Sequence, residues 1–343
     1  MLVRDGGTLG EGFHHARGEA HAEVEALRDA ARRGHGVAGA TAYVTLEPCD
    51  HAGLTPPCTR ALIAAGIARV VIGARDPNPR TAGAGTARLR AAGLTVDLRD
   101  DPEAAALVEA FAVAVAGDRP YVLLKIAASL DGLLAAEPGR YWLTGEAARR
   151  YVRERRAAAD AVLVGIGTVR ADDPQLTLRP PQARRRPYRR VVVCGTTPPG
   201  VAARIFAPAP GAAPATLLVP AAAARAYRDA LGERAEIVAV PADASGARLD
   251  LAAALAALKG SGIESVLCEG GARLAGSLLA ARLVDRVDWL VAPRFLANAR
   301  AVPALAGADL TSLPPLRFDR TQRLGQDLLV SSRMDGGASC SAD

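Results

Sequence analysis

The sequence predicts an α/β fold in two domains. The chain has 343 residues, and at roughly 100–200 residues per domain this length allows two or three domains. Short apolar segments of strand length alternate with segments of helix length, as in a sheet with helices on its faces. The alternation restarts after Gly117–Pro120. We therefore expect one domain at residues 1–117, a second at residues 118–335 and a disordered tail at residues 336–343.

The first domain is expected to open with a strand and to continue as alternating helices and strands. Abundant alanine blurs helical periodicity, so we take helix ends from glycines: Gly34, Gly66 and Gly93 each follow a helical segment. The predicted elements are strand Met1–Arg4, helix His21–Arg33, strand Thr41–Thr45, helix Thr59–Ala65, strand Arg69–Gly73, helix Thr86–Ala92 and strand Thr95–Leu98.

The second domain repeats the pattern with more strands. Its first helix is expected to use Thr144 as N-cap, with Glu146 in the first turn, where the helix dipole favours a negative charge. The predicted helices are Thr144–Ala159, Leu251–Lys259 and Arg273–Ala281. The predicted strands are Tyr121–Ala127, Ala161–Gly165, Arg190–Cys194, Ala215–Val219, Ser265–Cys268, Arg286–Ala292 and Leu328–Ser331.

Composition argues against several classes of protein. Hydrophobic residues make up 50% of the chain and charged residues 23%, which is typical of a globular protein and not of a disordered one. No apolar run reaches the ~18–20 residues that span a bilayer. No charged-then-apolar leader opens the sequence, so we expect a cytoplasmic protein with no membrane partner. Aromatic residues make up only 4%, which disfavours base-stacking surfaces and nucleic-acid partners.

Charge and cysteine content add little about function by themselves. The formal net charge is +6, and much of the excess lies in one run of arginines that we interpret as a solvated loop. These arginines are Arg184, Arg185, Arg186, Arg189 and Arg190. Five cysteines is an odd number, poorly suited to a secreted disulfide framework. We interpret Cys194 and Cys268 as small buried strand residues.

Two short motifs together indicate a metal site. His21 opens a predicted helix, Cys49 follows a predicted strand, and Cys58 precedes the next helix. One imidazole and two thiolates make three zinc ligands, and a catalytic zinc keeps its fourth position for water. Helix N-termini favour thiolate over thiol. A structural zinc needs a fourth protein ligand, for which only His51 is at hand, so we favour a catalytic zinc.

Glu23 is the predicted catalytic residue. It lies two residues beyond His21, and we interpret it as a proton-transfer group and not as a metal ligand. A carboxylate at this position can take a proton from the activated water and return it to a leaving amine. A His/Cys/Cys zinc site with a separate glutamate is typical of nucleobase deaminases. The motifs therefore predict hydrolytic deamination of an amino-substituted pyrimidine.

The stretch PCDHAGLTPPC, residues 48–58, resembles the pyrimidine deaminase family of riboflavin biosynthesis, whose pattern is Pro-Cys-x-His-x-Gly-x-Thr-Pro-Pro-Cys. The resemblance implies a cytidine-deaminase-like three-layer domain. The following DPNP…GxG stretch also resembles that family, which implies that Asp76, Pro77 and Asn78 form a turn near the substrate. The family's deaminase begins with a helix and a Pro-Asn-Pro-x-Val-Gly stretch, whereas this sequence starts in the strand that follows them. We therefore expect a deaminase domain truncated at its start.

Four stretches of the second half resemble the reductase that is commonly fused to that deaminase: RPYVLLKIAASLDGLLA, YWLTGEAAR, VGIGTVRADDPQLTLR and CEGGARLAGSLL. The resemblance implies a dihydrofolate-reductase-like domain in which NADPH reduces a ribosyl group, through its open imine form, to a ribityl group. The implied cofactor contacts are Ala127, Trp142, Thr168, Asp172, Gly271, Ala272, Arg273, Leu274, Ala275, Gly276 and Ser277. The implied substrate contacts are Arg156, Leu176, Arg179 and Glu269.

Physical chemistry supports several of these assignments and leaves alternatives for others. Glycines after a strand and before a helix let the backbone approach a phosphate, although a GxGxxG fingerprint is absent. Guanidinium donors on Arg156 and Arg179 suit a ribose phosphate. Arg156 could instead belong to a solvated helix face, and Trp142 to the core. Lys125 is a candidate buried lysine, with Asp131 or a ligand phosphate as its partner.

The favoured hypothesis is a bifunctional riboflavin-pathway enzyme. It would use Zn²⁺ to deaminate 2,5-diamino-6-(5-phosphoribosylamino)pyrimidin-4(3H)-one and NADPH to reduce the product. One alternative is a reductase whose deaminase domain is an inactive zinc-bound scaffold. A second alternative is a nucleic-acid-binding or editing protein with a deaminase-like zinc fold. The resemblance and an exposed sheet edge suggest a homodimer or a larger homo-oligomer.

Overall fold

The computed structural model describes residues 1–16, 18–79, 81–135, 142–180, 186–246, 248–297, 300–313, 316 and 318–334. They form two compact units, one from Met1 to Ala116 and one that begins at Gly117. Each unit has its own sheet and its own core. Arg184, Arg185 and the tail predicted at residues 336–343 lie outside the described residues.

The first unit is built on a five-stranded sheet in the order β2-β1-β3-β4-β5. β1 is antiparallel to both β2 and β3, whereas β3, β4 and β5 are parallel. In chain order the elements are β1 (Leu2–Arg4), β2 (Gly7–Gly10), α1 (Ala22–Arg32), β3 (Thr41–Leu46), α2 (Cys58–Ala64), β4 (Arg69–Ala74), α3 (Ala84–Ala91), β5 (Thr95–Leu98), α4 (Pro102–Leu107) and α5 (Glu109–Ala116).

Helices cover both faces of this sheet, so the unit has three layers. α1, α2 and α3 share one hydrophobic cluster, in which Val70 and Ile72 of β4 are fully buried. Alternate residues of a strand face opposite sides, so Gly73 points to the other face. There a side chain on Gly73 would collide with Ala104 of α4, at 2.6 Å. Because residue 73 is a glycine, α4 can pack closely on β4.

The second unit is built on a nine-stranded sheet in the order β11-β10-β9-β8-β12-β6-β13-β16-β15. Its elements are β6 (Tyr121–Ser129), β7 (Leu133–Ala135), α6 (Glu146–Ala158), β8 (Ala161–Gly165), α7 (Ile166–Asp172), β9 (Arg189–Val193), β10 (Ala215–Pro220), α8 (Ala224–Leu231), β11 (Ala235–Val240), α9 (Leu251–Gly260), β12 (Ser265–Cys268), α10 (Ala272–Ala280), β13 (Arg286–Ala292), β14 (Val302–Pro303), β15 (Arg320–Leu324) and β16 (Asp327–Arg333).

The strands from β11 to β13 in this sheet are parallel, and β16 and β15 complete it as an antiparallel hairpin. One face packs on α9 and α10, and the other on α6, α7 and α8. The carboxyl ends of β6, β8 and β12 lie side by side, because these strands are parallel neighbours. In open α/β sheets such an edge is where ligands bind.

Two sequence predictions about local structure are wrong. Thr144 does not cap α6: the N-cap is Gly145, whose N–H donates to the Asp327 carboxylate at 2.8 Å. Arg189 and Arg190 are not in a solvated loop but lie in β9. Arg190 is 2% exposed, and its guanidinium donates to the carbonyls of Ala207 and Ala213 at 3.1 Å. Several elements were also not predicted: β2, α4, α5, α7, α8 and the short strands β7, β14 and β15.

The predicted burial of two cysteines is confirmed, although Cys194 lies just after β9 and not in it. Cys194 and Cys268 are buried, 5% and 0% exposed. Burial raises the pKa of each thiol to about 12, so both stay protonated. Among the helices described, none combines the length and the apolar character needed to cross a membrane.

Candidate functional site

The three predicted metal ligands come together in the first unit. His21 is the N-cap of α1, and Cys58 is the first residue of α2. Cys49 follows β3 in the loop between β3 and α2. The short α2 starts at Cys58 because Pro56 and Pro57 precede it, and proline suits the start of a helix. Two helix starts and one strand end thus deliver the three side chains to one place.

The geometry fits a tetrahedral zinc ion. The Nδ1 atom of His21 lies 3.5 Å from Sγ of Cys49 and 3.3 Å from Sγ of Cys58. For Zn–S of about 2.3 Å and Zn–N of about 2.0 Å, ligand atoms on a tetrahedral ion lie about 3.5–3.8 Å apart. Within the described part of the chain, the metal-binding cluster contains these three residues and no fourth. His51, the alternative fourth ligand, is exposed.

The two thiols are prepared for metal binding. The hydrogen bond from the Cys58 thiol, supported by the Cys58 N–H and the His21 imidazole, lowers the pKa of Cys49 to about 5 against the effect of burial. That same bond, together with burial, raises the pKa of Cys58. The shared hydrogen bond thus favours the thiolate form of Cys49 and leaves the proton on Cys58. A cation at this point would displace it, because metal ligands are deprotonated.

Glu23 lies beside this cluster in the first turn of α1. Burial is the main reason that its pKa is raised above the ordinary value for glutamate, and the Cys58 thiol also interacts with the carboxyl group. A raised pKa brings the carboxyl group closer to neutral pH, where it can both accept and donate a proton. The proton-transfer role of Glu23 stays a prediction, and the raised pKa is compatible with it.

A second carboxylate in this region had no predicted role. Glu47 directly precedes Pro48 and Cys49 and is 4% exposed. Its Oε2 accepts hydrogen bonds from the N–H groups of Asp76 at 3.2 Å and Gly83 at 3.0 Å, and its Oε1 from Thr86 at 2.8 Å. Burial works to raise the pKa of Glu47, but these N–H donors outweigh burial and hold it below the ordinary value.

The predicted turn at Asp76–Asn78 is present. The Asp76 carboxylate accepts the Asn78 N–H at 2.9 Å and the Thr81 hydroxyl at 2.6 Å. The turn follows β4, and the metal-ligand loop follows its parallel neighbour β3. Both segments therefore leave the same edge of the sheet. The placement agrees with a turn near the metal cluster, and the Glu47 carboxylate connects the two segments.

In the second unit, a buried group of three charges joins β6, α6 and β12. The Glu269 carboxylate accepts hydrogen bonds from Arg156 at 2.6 and 2.8 Å, and Lys125 Nζ lies 3.3 Å from its other oxygen. The three side chains are only 10–18% exposed. Arg156 is therefore not on a solvated helix face. The partner of Lys125 is Glu269; the predicted Asp131 instead accepts from Ser129 and from the Leu296 N–H.

Other predicted substrate residues lie close to this charge group. Arg156 also donates to the carbonyl of Thr177 at 3.1 Å, in the loop that carries Leu176 and Arg179. Leu176 is buried, whereas Arg179 is exposed and donates to the Gln175 side chain at 2.9 Å. Arg156 thus connects Glu269, which precedes Gly270 and Gly271, to the segment that carries Leu176 and Arg179.

The predicted cofactor residues cluster at the carboxyl ends of β6, β8 and β12. Gly271 and Thr168 are in contact: a Cβ on Gly271 would lie 3.2 Å from Thr168 Oγ1. Asp172 ends the same helix as Thr168, and Ala127 lies in β6. Gly271 is the N-cap of α10, with no side-chain cap on the first N–H groups. These N–H groups are the feature that binds a phosphate at a helix start.

The rest of the predicted segment Gly271–Ser277 divides by burial. Ala272, Leu274, Ala275 and Gly276 are buried on α10. A Cβ on Gly276 would lie 2.4 Å from the carbonyl oxygen of Ala306. Of this segment, a ligand can therefore be contacted by the backbone of the first turn and by the exposed Arg273. The resemblance, which named all seven residues, did not distinguish backbone from side-chain contacts.

Trp142 is available to a ligand. It is 67% exposed, so it is not part of the core. The guanidinium of Arg149, on the first turns of α6, lies 5.1 Å from its ring centroid. The next residue, Leu143, lines a cavity of about 270 Å³ together with Arg294 and Asp327. An exposed indole beside a cavity is suited to stacking on a planar ring.

Family models match both units. Residues 1–74 match the cytidine and deoxycytidylate deaminase zinc-binding region, and residues 120–330 match the RibD C-terminal domain. A riboflavin biosynthesis protein RibD from Escherichia coli (strain K12) is 38% identical over 348 residues, which covers 96% of this chain and 91% of that protein. A RibD protein from Aquifex aeolicus (strain VF5) is 35% identical over 332 residues, covering 96% and 90%.

Solved structures agree with these matches. A diaminohydroxyphosphoribosylaminopyrimidine deaminase/5-amino-6-(5-phosphoribosylamino)uracil reductase from Thermotoga maritima superposes with a TM-score of 0.78 at 33% identity, covering 97% of this chain and 90% of that one. Acinetobacter baumannii RibD superposes with a TM-score of 0.76 at 32% identity, with the same coverage. The chain therefore belongs to the RibD family of riboflavin biosynthesis proteins.

Proposed function

We propose that this chain carries out two consecutive reactions of riboflavin biosynthesis. The first unit hydrolytically deaminates 2,5-diamino-6-(5-phosphoribosylamino)pyrimidin-4(3H)-one, and the second reduces the ribosyl group of the product to a ribityl group with NADPH. The observation that carries the proposal is the cluster of His21, Cys49 and Cys58 with Glu23 beside it. The matches over both halves of the chain support the pairing of the two activities.

In the deaminase, His21, Cys49 and Cys58 would hold the zinc ion. Zinc in such a site supplies an acidified water molecule at neutral pH. Glu23 is placed to take a proton from the water at its carboxylate and to return one to the departing amino group, so that the water oxygen becomes the ring carbonyl and the amino group leaves as ammonia. Its buried position keeps bulk water from competing for that proton.

The deaminase proposal is tested by ammonia release from the diamino substrate without NADPH. We expect Glu23→Gln to lower the rate by about 10²–10⁴-fold, the usual contribution of a general acid–base group. The variant should keep its zinc and should still reduce the deaminated substrate at the wild-type rate. Unchanged ammonia release in the variant would rule out the role of Glu23. Loss of both activities would indicate misfolding.

In the reductase, we propose that the phosphates of NADPH lie at the start of α10. Gly271 lets the backbone approach them, and the first N–H groups of α10 donate to them. NADPH supplies the hydride. Arg156, held by Glu269, and the exposed Arg179 would bind the ribose phosphate of the substrate, because guanidinium groups bind phosphate with two parallel hydrogen bonds. Ala127, Thr168 and Asp172 line the same edge of the sheet.

The cofactor site is tested with tryptophan fluorescence. The chain has two tryptophans, Trp142 and Trp289. If Trp142 contacts NADPH, titration with the cofactor should quench most of its emission. Trp142→Phe should remove that component and weaken NADPH binding, by about tenfold for a lost ring contact of ~1.4 kcal/mol. Trp289→Phe is the matched control and should keep the quenching. Equal quenching in both variants would place Trp142 away from the cofactor.

We further propose that the enzyme works in the cytoplasm as a homodimer or larger homo-oligomer. The four cysteines among the described residues are all free, which suits a reducing compartment. The edge strand β15 leaves one side of the nine-stranded sheet open to pairing. Light scattering coupled to size-exclusion chromatography measures the oligomeric state. A monomer at micromolar concentration would contradict this part of the proposal.

A further inference from the structure

We propose that Glu47 is a positioning residue of the deaminase. Its carboxylate holds the turn Asp76–Asn78 and the start of α3 against the loop that carries Cys49. The inference rests on the proposed deaminase function and adds to it a residue that contacts neither the metal cluster nor the substrate. Glu47 would act by fixing the distance between Cys49 and the turn Asp76–Asn78, which is expected to face the pyrimidine.

Hydrogen bonds to Glu47 join two separate segments of the first unit. The Glu47 carboxylate accepts from three backbone N–H groups, those of Asp76, Gly83 and Thr86. They belong to one segment far from Glu47 in the sequence, and the carboxylate reaches both ends of that segment. A buried carboxylate with these donors fixes their relative positions, because any movement would leave a buried charge or N–H group unpaired.

The start of α3 has no local side-chain cap. Its N-cap is Gly83, which has no side chain to accept the first N–H groups of the helix. Helices normally satisfy these groups with a local Ser, Thr, Asp or Asn. Here Glu47 supplies the acceptor from another loop, and its negative charge is also favourable at a helix N-terminus. The helix therefore depends on the metal-ligand loop for its cap.

A close backbone contact lies next to this cap. A Cβ on Gly85 would lie 1.9 Å from the carbonyl oxygen of Pro48, so only glycine fits. Pro48 lies between Glu47 and Cys49. Two independent contacts therefore hold the start of α3 in place. One is the set of hydrogen bonds to the Glu47 carboxylate, and the other is close packing against the carbonyl of Pro48. A structural cap alone would not require this second contact.

The test compares Glu47→Gln with Glu103→Gln, the same change at an exposed residue of the same unit. The amide introduced by Glu47→Gln has one acceptor oxygen, so at least one buried N–H group loses its partner. We expect KM for the diamino substrate to rise by about tenfold, with a smaller fall in kcat. Release of zinc to a chelator should be several times faster. Hydrogen exchange at Gly83 and Thr86 should also accelerate.

The outcomes separate this inference from the proposed function. Glu103→Gln should match the wild type in all three measurements. If the wild type releases no ammonia, the proposed function fails, whereas zinc release and hydrogen exchange still report on Glu47. If Glu47→Gln lowers thermal stability but leaves KM and zinc release unchanged, Glu47 is only structural and the inference is wrong.

Two further variants guard against a misfolded Glu47→Gln. Glu47→Asp keeps the charge but is one methylene shorter, and should raise KM in the same direction by a smaller factor. Gly85→Ala leaves residue 47 unchanged, but its Cβ would lie 1.9 Å from Pro48 O and 3.3 Å from Glu47 Cγ, so it pushes the start of α3 away from both residues and should also raise KM. Wild-type KM in both variants would overturn the inference, and NADPH-dependent reduction by the second unit provides the activity control in every case.

Discussion

At the scale of single residues, the reductase depends on a balance of buried charges. Glu269 carries one negative charge between the positive groups of Arg156 and Lys125, and burial leaves little water to screen them. Removing one partner of a buried ion pair costs more than the pair itself contributes, because the remaining charge is left uncompensated. The effect should be largest here for Glu269, since two cations would then face each other.

Glu269→Gln should destabilise the second unit by ~3–5 kcal/mol. Both tryptophans of the chain, Trp142 and Trp289, lie in this unit, so their fluorescence during urea unfolding reports on it. Glu264→Gln, at an exposed position just before β12, is the control and should change stability by less than ~0.5 kcal/mol. Equal midpoints for the two variants would show that the charge group is not stabilising.

The same group should give the second unit an acid-sensitive stability. Burial works to raise the pKa of Glu269, but Arg156 and Lys125 outweigh it, and the net pKa lies below the ordinary value. The contribution to stability is therefore complete above the unfolded pKa of about 4.3 and is lost as the pH falls through the lower folded value. Urea midpoints of the wild type should fall with pH in this range more steeply than those of Glu269→Gln.

The metal ligands of the first unit could be predicted from the sequence, whereas the charge pairs of the second unit could not. His21, Cys49 and Cys58 were predictable because metal ligands occur in short sequence motifs at the ends of helices and strands. The pairing of Lys125 with Glu269 joins β6 to β12, and the cap from Glu47 joins β3 to α3. Such contacts depend on which strands become neighbours, and no local pattern contains that information.

At the scale of elements, α10 shows how a ligand-binding helix is fixed to the core. Its buried face includes Leu274, Ala275 and Leu278, and Gly276 lies against the backbone at Ala306. The close approach holds the N-terminus of α10, with Gly271, at the edge of the sheet. The strand–glycine–helix pattern predicted the existence of α10, but the sequence did not reveal why residue 276 has no side chain.

Gly276→Ala should destabilise the second unit by ~1–3 kcal/mol although alanine is the better helix former. Its Cβ would lie 2.4 Å from Ala306 O, so the helix or the loop must move. Gly167→Ala in α7 is the matched control, because a Cβ there meets nothing within 4 Å. That variant should be neutral or slightly stabilised. Urea unfolding measures both, and a stabilised Gly276→Ala would contradict the packing argument.

Other elements were missed for a different physical reason. α4 and α5 are rich in alanine, which either face of a helix tolerates, so their periodicity is weak. Cap chemistry was the better signal: Asp101 accepts the N–H groups of Glu103 and Ala104, and Pro102 follows it. β15 was missed because its sequence, RTQRL, has four polar residues in a row and no alternation of apolar and polar side chains; its main contacts are the backbone hydrogen bonds to β16.

At the scale of the whole molecule, the chain is divided into two units with separate cores. The restart of the strand–helix alternation near Gly117 indicated two domains. The strand order within the nine-stranded sheet was not predictable, because β6, first in the sequence, lies between β12 and β13. Order in such a sheet is set by crossover connections and not by the residues of any one strand.

The two activities should therefore respond differently to a chelator. Treatment with 1,10-phenanthroline should abolish ammonia release from the diamino substrate, since the three ligands of the first unit would lose their ion. NADPH oxidation with the deaminated substrate should be unchanged. Added Zn²⁺ should restore ammonia release. A parallel loss of both rates would show that the reductase also depends on the metal.

The positions of the metal ligands also affect the stability of the first unit. His21 begins α1 and Cys58 begins α2, so a shared ion fastens two helices that contribute to the same core. Binding to the native state alone adds free energy by mass action, about 2.7 kcal/mol when free ion is present at a hundred times its dissociation constant. In a growth medium poor in zinc, more of the first unit would then be unfolded and open to proteolysis. The amount of intact protein would fall in addition to the direct loss of activity.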